Sequence, residues 1–212
     1  MNTLNFIQII HTTRFRLPFQ KKMICLTFDD GHKFTDQILD KLEMHKQKAT
    51  FFLCGSYIET NLSIYKKIFK LGHEIGNHSY THPHLTALSN CEIITELSKT
   101  QQLINEITEN NSSMLFRFPY GASTDSLAQF VRTQGYTPVR WTIDSRDWTG
   151  ISATDIYQNI IHSKCLKNGA IILMHTSGAH TAEALDLIIP MLQKRNFKMI
   201  TISALLQYGF KV

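Results

Sequence analysis

From Met23 to Thr201 short apolar runs alternate with amphipathic stretches, and this alternation confines the chain to the α/β class. Runs at 23–28, 49–54, 73–75, 115–118, 137–143, 169–174 and 197–201 have the length and apolar content of buried strands. Between them, 35–45, 62–71, 89–107, 124–133, 153–163 and 182–194 read as helices. No repeat, low-complexity segment or Pro/Gly-rich linker interrupts the series. The 212 residues, 43% of them hydrophobic, suffice for one substantial core. One domain is therefore expected over 21–212, preceded by an N-terminal extension over 1–20.

The first 28 residues contain no Asp or Glu but carry Arg14, Arg16, Lys21 and Lys22. Their only apolar stretch, 4–10, is broken by Asn5 and Gln8. It has no charged segment before it and no small-residue cleavage site after it, so a secretory signal is poorly supported. An extension that packs onto the domain is expected, and the chain as it stands reads as cytoplasmic; a removed leader would make it extracytoplasmic. No run approaches the ~20 apolar residues of a membrane-spanning helix. The net charge of +5 suits an anionic polymer but is explained equally by scattered Lys and Arg on solvated faces. No basic run with interleaved aromatics suggests nucleic acid. Cys25, Cys54, Cys91 and Cys165 are widely spaced, without Cys-x-x-Cys, which argues for free thiols over a thiolate zinc site. Oligomeric state leaves no mark on the sequence.

Chemistry enters with Asp29-Asp30-Gly31 and with His78-Ser79-Tyr80-Thr81-His82. Each is weak alone: Asp-Asp-Gly is common turn chemistry, and His-x-x-x-His is usually a surface or satisfied core pair. Together they supply two imidazoles and two carboxylates, enough for an open three-ligand metal site with a carboxylate to spare as a base. Consecutive strand residues point to opposite faces, so Asp29 and Asp30 can share a site only where the strand ends. Gly31 supplies a permissive backbone for that bend.

Thr27-Phe28-Asp29-Asp30-Gly31 and His78-Ser79-x-x-His82 resemble the first two motifs of the polysaccharide deacetylases of the NodB-homology type, carbohydrate esterase family 4. The remaining three motifs follow in order: Arg117-Phe118-Pro119-Tyr120, Asp144-Ser145-Arg146-Asp147-Trp148 and Leu173-Met174-His175. The resemblance implies an irregular (β/α)7 barrel and hydrolysis of an acetamide, a non-peptide carbon–nitrogen bond, on a sugar. Asp30, His78 and His82 would hold a divalent ion, zinc or else cobalt. Asp29 would be the base and His175 the acid that protonates the leaving amine. The Tyr120 main-chain N–H would help stabilise the oxyanion, Arg117 would pair with Asp29, Asp147 with His175, and Trp148 would wall the acetyl pocket. Trp141 and Phe118 are expected to be ordinary core packing, and His84 is surplus to a three-ligand site. His11, His32, His45, His73, His162 and His180 gain no role.

Two departures bear on substrate. His32 stands where the family commonly has Pro, and Thr176 where several relatives carry Asp. Arg-Phe-Pro-Tyr favours action on N-acetylglucosamine, in chitooligosaccharide or the peptidoglycan of a cell wall, over N-acetylmuramic acid. The competing readings are an acetylxylan O-acetyl esterase with the same site, a metal-free ureide amidase, which the His pair argues against, and a noncatalytic carbohydrate-binding module on the same fold.

Overall fold

The computed structural model describes residues 22–31 and 33–209; the expected extension, His11 and His32 lie outside them. The strands are β1 (Lys22–Asp30), β2 (Thr50–Leu53), β3 (Glu74–Asn77), β4 (Leu115–Phe116), β5 (Thr137–Pro138), β6 (Ile143–Asp144), β7 (Ala170–His175) and β8 (Phe197–Met199). The α-helices are α1 (Thr35–Met44), α2 (Gly55–Thr60), α3 (Leu62–Lys70), α4 (Asn90–Ile107), α5 (Asp125–Thr133), α6 (Ala153–Ile161), α7 (Thr181–Lys194) and α8 (Ile202–Gly209).

Every ladder is parallel, in the order β5-β4-β3-β2-β1-β7-β6, with β8 also paired to β1. Six of the seven expected strands form as single strands. The seventh, 137–143, splits into β5 beside β4 and β6 beside β7, at opposite edges of the sheet. Val139 N–H still donates to the Phe116 carbonyl at 2.7 Å, whereas Pro138, whose nitrogen faces the free edge, offers no N–H for a further strand there, and the chain leaves the sheet after Val139. That split forces curvature. Five peptide links from Pro138 to Ile143 reach roughly 18 Å at most, whereas a flat sheet in this order would hold its edges about 29 Å apart. The sheet therefore curls into the irregular (β/α)7 barrel, closed on one side by a covalent crossing. The six expected helices are present. Two more, α2 and α8, escape a reading by periodicity because α2 is barely longer than one helical repeat and α8 continues the apolar run of β8.

β1 runs through the centre and is buried on both faces. Met23 and Cys25 face the inside of the curl, with Phe52, Val139, Ile171 and the α8 residues Ile202 and Leu205. Ile24, Leu26 and Phe28 pack outward against the helices. This alternation sends Asp29 inward and, if continued, would send Asp30 away from it.

Candidate active site

The backbone breaks the alternation at Asp30, whose φ is 83°; Gly31 follows at 102°. The bend is thus shared by both residues and does not belong to the glycine alone, and it brings both carboxylates to the C-terminal mouth of the barrel. Their environments then diverge. Asp29 is buried, and its Oδ1 accepts from Arg117 Nη1 at 2.8 Å. Asp30 is half-buried, and its Oδ2 accepts from Ser177 Oγ at 3.2 Å. Thr176 ties the turn down: its hydroxyl accepts from Gly31 N–H and donates to the Asp29 carbonyl.

Arg117 is fully buried. Its Nη1 also donates to Thr27 Oγ1 at 2.7 Å, and its guanidinium lies 4.2 Å from the Phe52 ring and 5.7 Å from the Trp141 ring. For Asp29, burial is the largest influence and raises the pKa above the ordinary carboxylate value, against the opposing charge of Arg117. The result is a carboxylate better suited to take a proton than its ion pair alone would suggest.

His78 follows β3, and its Nδ1 lies 2.8 Å from the Arg117 carbonyl. A carbonyl only accepts, so that nitrogen carries the proton and Nε2 keeps its lone pair. Burial lowers the His78 pKa to about 3, leaving the neutral imidazole that can ligate. Its Nε2 is 3.8 Å from Asp30 Oδ1, and His82 Nε2 is 3.7 Å from the same oxygen. Donor atoms of Asp30, His78 and His82 all lie within 4.8 Å of one another, close enough to share one ion at the ~2.0–2.2 Å distances of zinc–N/O bonds. The donor set fits a divalent metal.

His175 ends β7, in register with Asp29. Its Nδ1 is 2.8 Å from Asp147 Oδ1. Asp147 is buried and accepts in addition from Ser145 Oγ, Thr181 Oγ1 and the His175 main-chain N–H. Asp144, the other aspartate of its motif, caps Arg146 N–H and lines the cavity instead.

These groups open onto one cavity of about 440 Å³, lined by Asp29, Asp30, His78, His82 and His175. Tyr120 and Trp148 stand at its edge, 60% and 59% exposed. Trp141 and Phe118 also line it, in addition to the core packing expected of them. Phe118 is buried against Phe116, and Trp141 reaches the cavity because it lies on the 139–142 crossing, outside any ladder. His84 stacks on Tyr120 at 4.0 Å instead of joining the ligand cluster. Ser177 escaped the sequence reading, because no local pattern distinguishes a serine two residues past His175.

The family model described as polysaccharide deacetylase matches residues 16–139. The chain belongs to that family. A peptidoglycan-N-acetylglucosamine deacetylase of Bacillus cereus is 37% identical over 196 residues, covering 90% of this chain and 70% of that protein. Its span includes residues beyond 139 and so reaches the last two motifs. A solved peptidoglycan N-acetylglucosamine deacetylase superposes with TM-score 0.84 at 36% identity, covering 90% of this chain and 91% of that one. A pseudoenzyme of carbohydrate esterase family 4 from Bacillus anthracis has TM-score 0.81 at 35% identity, covering 88% of this chain and 66% of that one. The same fold is thus shared by a protein described as a pseudoenzyme. The family acts on carbohydrate by metal-dependent deacetylation, and Asp30, His78 and His82 form a possible site for the ion.

Proposed function

We propose that this chain removes N-acetyl groups from N-acetylglucosamine units of peptidoglycan or chitooligosaccharide, with zinc held by Asp30, His78 and His82. The observation that carries the reading is the division of labour between adjacent carboxylates around one cavity. Asp29 is paired with a buried arginine, and Asp30 faces the imidazoles of His78 and His82. Two imidazoles and one carboxylate, with a position left open, are a common catalytic zinc set. An ion held by Asp30, His78 and His82 would supply Lewis acidity toward an acetyl carbonyl and would acidify a water for attack.

Asp29, oriented through Oδ1 by Arg117, takes the proton of that water at Oδ2. The Tyr120 main-chain N–H donates to the developing oxyanion. His175 delivers its proton to the sugar nitrogen as the C–N bond breaks, because an amine leaves poorly unprotonated. Asp147 keeps that imidazole protonated and aimed. Trp148 and Trp141 wall the acetyl group and exclude water from it.

The test is acetate release from chitooligosaccharide, peptidoglycan fragments and acetylated xylan, each with and without chelator. Chelator-sensitive release from the two N-acetylated substrates is expected. Release confined to xylan would make the protein an O-acetyl esterase, and binding without turnover in zinc or cobalt would make it a noncatalytic module.

A further inference from the structure

His78 and His82 are four residues apart, but not on a helix: 78–84 form an irregular loop between β3 and a 3-10 turn at Leu85–Ala87. No helical ladder holds the two rings on one face, so something else must. Ser79 and His82 adopt φ values of 67° and 59°, a left-handed region that non-glycine residues occupy at a cost. Such a loop persists only when its surroundings over-determine it.

The main-chain N–H groups identify what does so. His78 N–H donates to the Leu53 carbonyl, Ser79 N–H to Asn77 Oδ1 and His82 N–H to Ser79 Oγ. The two between them, Tyr80 and Thr81, both donate to Glu96 Oε2, at 2.7 and 2.8 Å. Glu96 Oε1 also accepts from Thr81 Oγ1 at 2.8 Å. One carboxylate thus takes three bonds from the middle of the loop, and bonds to a charged acceptor are the stronger kind. The same helix, α4, grips the start of the loop through the Leu97 carbonyl, which accepts from Asn77 Nδ2 at 2.9 Å.

We infer that Glu96 is a positioning residue for the metal site, its carboxylate fixing the spacing between His78 and His82. It touches neither imidazole and acts through the backbone that carries them. The inference rests on the reading of Asp30, His78 and His82 as the ligands.

The experiment compares the wild-type chain with Glu96→Ala, Glu96→Gln, Glu92→Ala and His78→Ala. Zinc affinity is measured by competition with a chelator, folding by circular dichroism and thermal unfolding. Amide exchange at Tyr80 and Thr81 is followed in zinc-free protein. Glu96→Ala should lose zinc affinity on the order of 10- to 100-fold, the scale for groups that orient ligands. Its Tyr80 and Thr81 amides should exchange faster without any metal present. Glu96→Gln keeps an acceptor oxygen and should lose less. Glu92 belongs to the capping box at the start of α4, so Glu92→Ala tests helix weakening without touching the loop and should leave zinc affinity unchanged.

A folded Glu96→Ala protein with wild-type zinc affinity overturns the inference, as does an equal loss in Glu92→Ala. Should Glu96→Ala fail to fold, Glu96→Gln decides, with unchanged affinity overturning the inference and reduced affinity supporting it. His78→Ala keeps the two readings apart: if it binds zinc like wild type, the ligand assignment itself fails, whatever Glu96 does.

Discussion

Asp147 grips His175 at two points, accepting from ring Nδ1 through Oδ1 at 2.8 Å and from the main-chain N–H through Oδ2 at 2.7 Å. Burial of His175 opposes its charged form, yet the bond to Asp147 and the charges of Asp147, Asp29 and Asp30 prevail. The pKa rises from the ordinary 6.5 to about 9.

A general acid works while protonated, so kcat/KM should fall as pH rises through the titration of His175. Asp147→Asn removes the charge that raises this pKa. Its alkaline limb should move to lower pH and its maximum rate should drop, with metal content near wild type. The limb also contains coupled groups, so the displacement between variants is the readout. An unmoved limb in Asp147→Asn beside a displaced one in Asp144→Asn would reverse the assignment.

The same shift predicts a stability trend. The folded pKa lies above the unfolded one, so the contribution of the His175–Asp147 pair is fully present below about pH 6.5 and is lost as pH rises through about 9. In His175→Ala, measured by denaturant unfolding in zinc-free protein, the decline across that window should be smaller than in wild type.

Asp29 and Asp30 should separate by mutation although they are adjacent. Asp29→Asn should retain metal while kcat drops by about 10²- to 10⁴-fold, the range for loss of a general base. Asp30→Asn should lose metal affinity as well. Metal analysis beside single-turnover rates distinguishes them, and the opposite pattern would exchange the roles.

His78→Ala leaves two of the three proposed ligands, so metal and activity should disappear together. Full occupancy with wild-type turnover would sink the site.

Arg117→Met strips the buried Asp29 carboxylate of its arginine partner. A stability loss of about 3–5 kcal/mol is expected at a pH where Asp29 is ionised, read from equilibrium denaturation. Arg117 lowers the Asp29 pKa, so the acid limb of kcat/KM should move to higher pH. Adding Asp29→Asn should recover part of the stability, because the charge left unpaired is then gone.

Much of this was legible along the chain. The α/β class, most strand and helix positions and the pairing of two carboxylates with two imidazoles follow from short-range regularities, while Arg117, Tyr120, Asp147, Trp148 and His175 entered through the resemblance to family motifs. A period of two or 3.6 and a motif of five residues are properties of neighbours. Even the need for Asp29 and Asp30 to sit at a strand end follows from strand geometry.

Tertiary structure decided the rest. It put the left-handed turn on Asp30, split 137–143 across two sheet edges, and swung Trp141 into the cavity. It set Ser177 on Asp30 across 147 residues of sequence and Glu96 beneath the loop of His78 and His82, and it formed across 88 residues the Arg117–Asp29 pair that the family resemblance implies. These pairings are made by the curl of the sheet, which brings strand ends together irrespective of their distance along the chain. A carboxylate becomes a base or a ligand according to the groups that close around it, and no local pattern encodes them.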